Sequence, residues 1–147
     1  MVDHVRKQIR DAAVTALTGL TTTGARVKNS AVYPMQDADL PGLRIDPADE
    51  SIEVDTISAA PVIARTLELV VEACVKQTGS YNDALDTIIK EVEIAIAGNQ
   101  AIGGAKYALL KSVKTELSGD GEKPVAVGTL TFEVLYYTAL DAPTVAL

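Results

Sequence analysis

The chain has 147 residues, 48% of them apolar and 22% charged, with a single cysteine and a net charge of −7. That length and apolar content suit one domain with a real core and argue against wholesale disorder. The acidity excludes a basic nucleic-acid footprint, and one thiol (Cys74) excludes an internal disulfide.

The opening MVDHVRKQIRDAAV carries a charge every few residues and lacks the apolar core of a signal peptide. No run of about 18 apolar residues follows, so a membrane span is not expected and the chain is expected to be made in a cytoplasm. From Asp3 to about Leu20, Val5, Ile9, Ala13, Leu17 and Leu20 recur at helical spacing, with Asp3 as the expected cap. Gly19 and Gly24, with three threonines between them, end that helix. A strand is expected over Arg26 to Tyr33, faltering at Pro34, which cannot donate to a ladder. An acidic, proline-marked loop leads to a short strand, Leu43 to Ile45. Asp46-Pro47-Ala48-Asp49-Glu50 reads as a turn cluster, and Ser51 to Ser58 alternates like an exposed or edge strand.

The clearest strand is Arg65 to Lys76, with Leu67, Leu69, Val71, Ala73 and Val75 on one face and Thr66, Glu68, Val70, Glu72 and Cys74 on the other. A period of two implies a half-buried sheet with one wet or partner-facing side. Ser80 to Ala97 reads as a second helix with the core stripe Leu85, Ile88, Ile89, Val92 and Ile96, ended by a left-handed Gly98-Asn99. Two long strands follow, about Lys106 to Leu117 and Val125 to Thr138, joined by a hairpin tip over Gly119 to Lys123. The last segment, Asp141 to Leu147, has no periodicity and is expected to be a mobile tail beyond a single domain of residues 1–140. Together these elements predict an α+β fold: an antiparallel or mixed sheet with both helices packed on one face.

Chemistry is sparse. The only histidine, His4, lies far along the chain from Cys74, so a nucleophile–base pair is not expected. No His/Cys cluster suits zinc, and neither Asp37/Asp39 nor Asp46/Asp49/Glu50 has calcium-loop spacing. Ile102-Gly103-Gly104-Ala105-Lys106 lacks the full phosphate-loop pattern. No cofactor and no metal are expected. Glu68 and Glu72, four residues apart on one strand, are roughly 13 Å from each other, too far to act as a coupled acid–base pair. With Glu133 they read as polar residues on an open sheet face, either plainly solvated or part of a mixed, partner-facing surface.

Five blocks, in order, carry a resemblance to a known family. They are HVRKQIRDAAVTALTGLTTTGARV (from His4), S-x-VYP with Q-D-A-D-LPGLRI (Ser30 to Ile45), RTLELVVEA (Arg65 to Ala73), D-x-LD-x-I-x-x-EVE (Asp83 to Glu93) and GEKPVAVGTLTFEVLYYT (Gly121 to Thr138). Their order resembles the tail terminator proteins of long-tailed bacteriophages, the minor tail protein U type. It departs from that family at Arg44-Ile45-Asp46-Pro47 and after Thr138.

The resemblance implies a non-catalytic virion protein at the junction of tail and head. Six copies would close into a ring on the finished tail tube, stop further tube polymerisation and offer the head–tail connector a docking surface. DNA would pass through the centre without specific binding. Its expected partners are therefore itself, the tail tube protein and the connector, with no membrane involved. Candidate contacts with a neighbouring subunit or the tube are Arg26, Tyr33, Met35, Asp37, Asp39, Leu40, Pro41 and Arg44 around the first loop. Glu68, Glu72 and Glu133 on the sheet and Asp120 at the hairpin tip complete the set. Another head–tail joining protein and a small α+β ligand-binding module are the alternative readings.

Overall fold

The structure, a computed structural model, describes residues 2–29, 37–76, 79–118 and 125–147. In chain order it contains α1 (Val5–Leu17), β1 (Val27–Asn29), β2 (Gly42–Thr56), β3 (Val62–Lys76), α2 (Tyr81–Ala97), β4 (Tyr107–Ser118) and β5 (Val125–Ala139). Short 3-10 turns occupy Asp37–Asp39 and Ile102–Gly104. The five strands form one sheet in the order β1-β2-β3-β5-β4, with β1 parallel to β2 and every other pair antiparallel. This is the expected α+β architecture with a mixed sheet.

Alternation builds the two faces of the sheet. Leu67, Leu69, Val71, Leu130, Phe132 and Val134 are buried on one face, beneath the stripes of both helices. Val5, Ile9, Ala13 and Leu17 supply the α1 stripe; Leu85, Ile88, Ile89, Val92 and Ile96 supply that of α2. Two glycines let backbone approach closely. At Gly128 in β5, a Cβ would lie 3.2 Å from Ile89 Cδ1, so the missing side chain seats α2 on the sheet. At Gly103, whose φ is +59°, a Cβ would lie 2.6 Å from Ile9 Cα, so only glycine lets that turn pass beneath α1.

Several local expectations change. The N-cap of α1 is His4, not Asp3: His4 Nδ1 accepts from the Arg6 amide at 3.0 Å, while Asp3 pairs with Lys7 at 2.9 Å. Gly98 ends α2 in right-handed backbone (φ −79°), so no left-handed cap forms there. The turn cluster at Asp46–Glu50 is no turn. β2 runs through it as one 15-residue strand, with two residues, Ala48 and Asp49, set opposite the single Glu68. Such a bulge absorbs the extra residue without ending the ladder. Pro47 is tolerated because, among the described residues, β1 covers only Leu43–Ile45 of the outer edge of β2.

Cys74 also departs from simple alternation. It is buried, and desolvation above all, with Glu72 adding to it against Arg44, pushes its thiol up to about 11.

Nor is the C-terminal segment a free tail. The Val5 amide donates to Pro143 O (2.9 Å), Gln8 Nε2 to Thr144 O (2.9 Å) and the Leu147 amide to Tyr137 O (2.9 Å). The segment closes the unsatisfied first turn of α1, a role that carries no sequence periodicity. The described part of β1 is short, Val27–Asn29; the rest of the strand expected up to Tyr33, and Pro34, lie outside the described residues.

Candidate assembly surface

Opposite the helices, no described element covers the sheet. Strand register sets Glu68 of β3 directly against Glu133 of β5, with Leu109 of β4 next in line. The bulge at Ala48–Asp49 in β2 and a second at Lys111 in β4 bracket this row. Bulges re-aim side chains, and here the second sends Lys111 Nζ to within 3.7 Å of Glu133 Oε2. Asp49, Ser51, Thr66 and Thr131 complete a polar trough around the two glutamates. Tyr107 stands alongside; desolvation first, then Glu133 and Tyr137, raise its hydroxyl above the usual tyrosine range. Two carboxylates opposed across strands, one exposed and one half-buried, have no dry enclosure in which to run acid–base chemistry.

Further along the same face, Arg44 pairs in register with Glu72, and its Nε reaches Asp46 Oδ2 at 3.0 Å. The first-loop candidates gather beside this end of β2. Asp37 and Asp39 sit in the 3-10 turn, and Lys28 Nζ lies 3.3 Å from Asp39 Oδ1. Leu40 and Pro41 are half-buried. Arg26 donates inward, from Nε to Pro41 O (2.7 Å) and from Nη2 to Thr22 O (2.9 Å), so it clamps the threonine turn to the loop. The Thr22 amide and hydroxyl in turn donate to Glu91 of α2, at 2.9 and 2.5 Å. Arg44 thus joins the loop group to the sheet group. Tyr33, Met35 and Asp120, together with the hairpin tip over residues 119–123, lie outside the described residues.

Sequence reasoning missed an ionic cluster where α1 meets the sheet. Glu50 accepts from the Tyr136 hydroxyl, and its other oxygen lies 3.6 Å from both Arg65 and Arg6. Arg65 also donates to Thr138 Oγ1 at 3.0 Å and stands 6.0 Å from the centre of the Tyr136 ring. Burial first, then Glu50, raises the Tyr136 hydroxyl. The period Ile52, Val54, carried back one step, reaches Glu50 and puts it on the helix-bearing face. The supposed turn concealed that step. His4 stands at this end of β3, within the field of Arg65, and Arg65 is nine residues along the strand from Cys74. At strand rise that separation is about 30 Å, which rules out a Cys–His pair.

No family model matches the chain, and no curated protein does. A solved structure does. The chain is similar to one in the "Virion of native gene transfer agent (GTA) particle", with a TM-score of 0.55 at 16% identity over 92% of both chains. That likeness carries the fold. It extends over most of both chains rather than a shared fragment. Among the described residues there is no group of three or more His, Cys, Asp or Glu side chains that could hold a metal ion. No described helix is long and apolar enough to cross a membrane.

Proposed function

We propose that this chain is a structural virion subunit of the tail terminator type. Six copies close into a ring on the end of a phage-like tail tube, halt its growth and present a docking surface to the head–tail connector. The observation that carries this reading is the likeness, over 92% of both chains, to a chain of a gene transfer agent virion. The five ordered blocks that resemble the tail terminator family point the same way.

The physical features agree. A ring of identical chains needs a heterologous contact, one patch against a different patch of the next copy, and among the described residues this sheet leaves one face and two edges for it. An excess of carboxylates suits a protein that lets DNA pass without gripping it. The role needs no cofactor and no catalytic group.

Electron microscopy of the purified protein, alone and mixed with tail tubes, tests the reading. Sixfold rings or capped tube ends are expected. Monomers in both samples would overturn it. Deleting the gene separates this role from that of a connector or completion protein: loss of a terminator gives overlong tubes, whereas loss of a connector gives normal tails detached from heads.

A further inference from the structure

We propose that the outer edge of β4 is the docking site for the distal half of β2 from a second copy of this chain, so that the two sheets join edge to edge, head to tail. The inference rests on the ring reading and assigns its contact.

Both edges are open among the described residues. β4 ends the sheet on one side; on the other, β1 covers only Leu43–Ile45, and no described strand pairs with the outer side of Asp46–Thr56 in β2. An unpaired edge is a template for another strand. Gln100 already satisfies both backbone groups of Ala108, at 2.8 and 3.0 Å, so the available edge of β4 begins near Leu110.

Charge selects the partner. From Leu110 to Leu117 the chain carries Lys111 and Lys114, which reach Glu133 and Glu116 on their own sheet, against Glu116 alone. From Asp49 to Thr56 it carries Asp49, Glu50, Glu53 and Asp55 and no basic residue; Glu50 is turned inward to Arg65. The apolar rows match as well. Val113 and Leu117 register with buried Leu130 and Ala126 on the helix-bearing face, yet are 44% and 48% exposed. Ile52 and Val54 occupy that same face of β2 and are 53% and 62% exposed. Joined edges would cover both rows on one side and bring Glu53 towards Lys114 on the other.

Polarity agrees too. Three successive antiparallel pairings make β2 and β4 run in opposite senses. Copies related by rotation about an axis roughly along the strands therefore meet β4 to β2 antiparallel. The stagger inherent in closing a sheet moves the free part of β2 past the stretch guarded by β1.

Charge reversal tests the assignment by sedimentation velocity. Lys111→Glu with Lys114→Glu makes the β4 edge acidic; Glu53→Lys with Asp55→Lys makes the β2 edge basic. Each double variant alone is expected to need at least about tenfold more protein to assemble, and an equimolar mixture to recover to within about threefold of wild type, since each exposed pair carries a fraction of a tenfold step or more. Only a heterologous edge contact predicts that recovery. Variants that assemble like wild type, or a mixture that stays dissociated with both variants folded, would overturn the edge assignment and leave the ring reading standing. A wild type that never associates, alone or on tubes, would remove both.

Should a reversed variant fail to fold, mixing Ile52→Cys protein with Val113→Cys protein under mild oxidation provides the second measurement. A disulfide-linked dimer in the mixture supports the assignment, and its absence at assembling concentrations overturns it. Buried Cys74, its thiol pushed up to about 11, gives little background.

Discussion

The two faces of the sheet are made from the same strands and do opposite work. On one, Leu67, Leu69, Val71, Leu130, Phe132 and Val134 are sealed beneath α1 and α2. On the other, at the next position along each strand, Thr66, Glu68, Glu72, Thr129, Thr131 and Glu133 are left uncovered. Period two alone separates them. The covered face holds the fold together, while the open face and its margins remain available for partners. Substitutions on the two faces should therefore differ in size, and for some residues in sign.

The largest effects belong to the covered face. Val71→Asp and Ile89→Asp each place a carboxylate in the contact between the sheet and the helices, where no described partner can satisfy it. Each is expected to cost several kcal/mol and abolish cooperative unfolding in a thermal melt. Near-normal melting temperatures would mean that the faces are misassigned. Glu50→Ala is next. It strips the buried Arg65 guanidinium and the Tyr136 hydroxyl of their shared acceptor. Breaking a buried pair from one side costs about 3–5 kcal/mol, so the melting temperature should fall by about 10 °C or more. A change of only a degree or two would show that water replaces the carboxylate at little cost.

These two predictions also mark what was legible in the sequence. The helix stripes and the faces of β3 and β5 were, because each rests on a regular period over ten or more residues. Glu50 was not. Asp46-Pro47-Ala48-Asp49 has the composition of a turn, and a bulge on an edge strand is built from the same residues. Only the partner strand decides between them, by placing Leu67 opposite Glu50. The cap of α1 was misread for a related reason: Asp3 is the better intrinsic cap, yet the docked segment at Pro143 and Thr144 fixes where the helix starts. On the open face, the sequence identified Glu68 and Glu133 as lying on wet sides of their strands. Their direct opposition is a matter of register, which long-range pairing sets. Lys111 escaped notice because its bulge shifts the alternation of β4 by one.

The open face should respond weakly and with the other sign. Glu68 faces Glu133 across the β3–β5 pair, whereas Lys111 reaches only Glu133. Glu68→Gln removes a like-charge opposition and leaves the Lys111 contact intact. It is expected to stabilise the chain by about 0.2–1 kcal/mol at low salt, with the gain shrinking as salt is added. Destabilisation under both conditions, measured by urea titration, would mean that the face contributes to the fold in a way its exposure does not suggest.

The smallest expected effect lies where the covered face ends, at His4. Its Nδ1 must be unprotonated to accept from the Arg6 amide and cap α1. Desolvation first, then Arg65 and Arg6, lower its proton affinity in the folded chain, against an opposing pull from Glu50. A histidine with a lowered folded pKa binds its proton more readily when unfolded. Stability is therefore greatest above the unfolded value of about 6.5 and declines as pH falls from there towards the folded pKa. Carboxylates titrate mainly below about pH 5, so the window between pH 7.5 and 5.5 isolates this group. His4→Asn keeps a good cap without a titrating ring, so its melting temperature should change less across that window than that of wild type. Equal slopes in the two proteins would place the proton uptake elsewhere. A slope of reversed sign in wild type would show that Glu50, rather than desolvation and the two arginines, governs the ring.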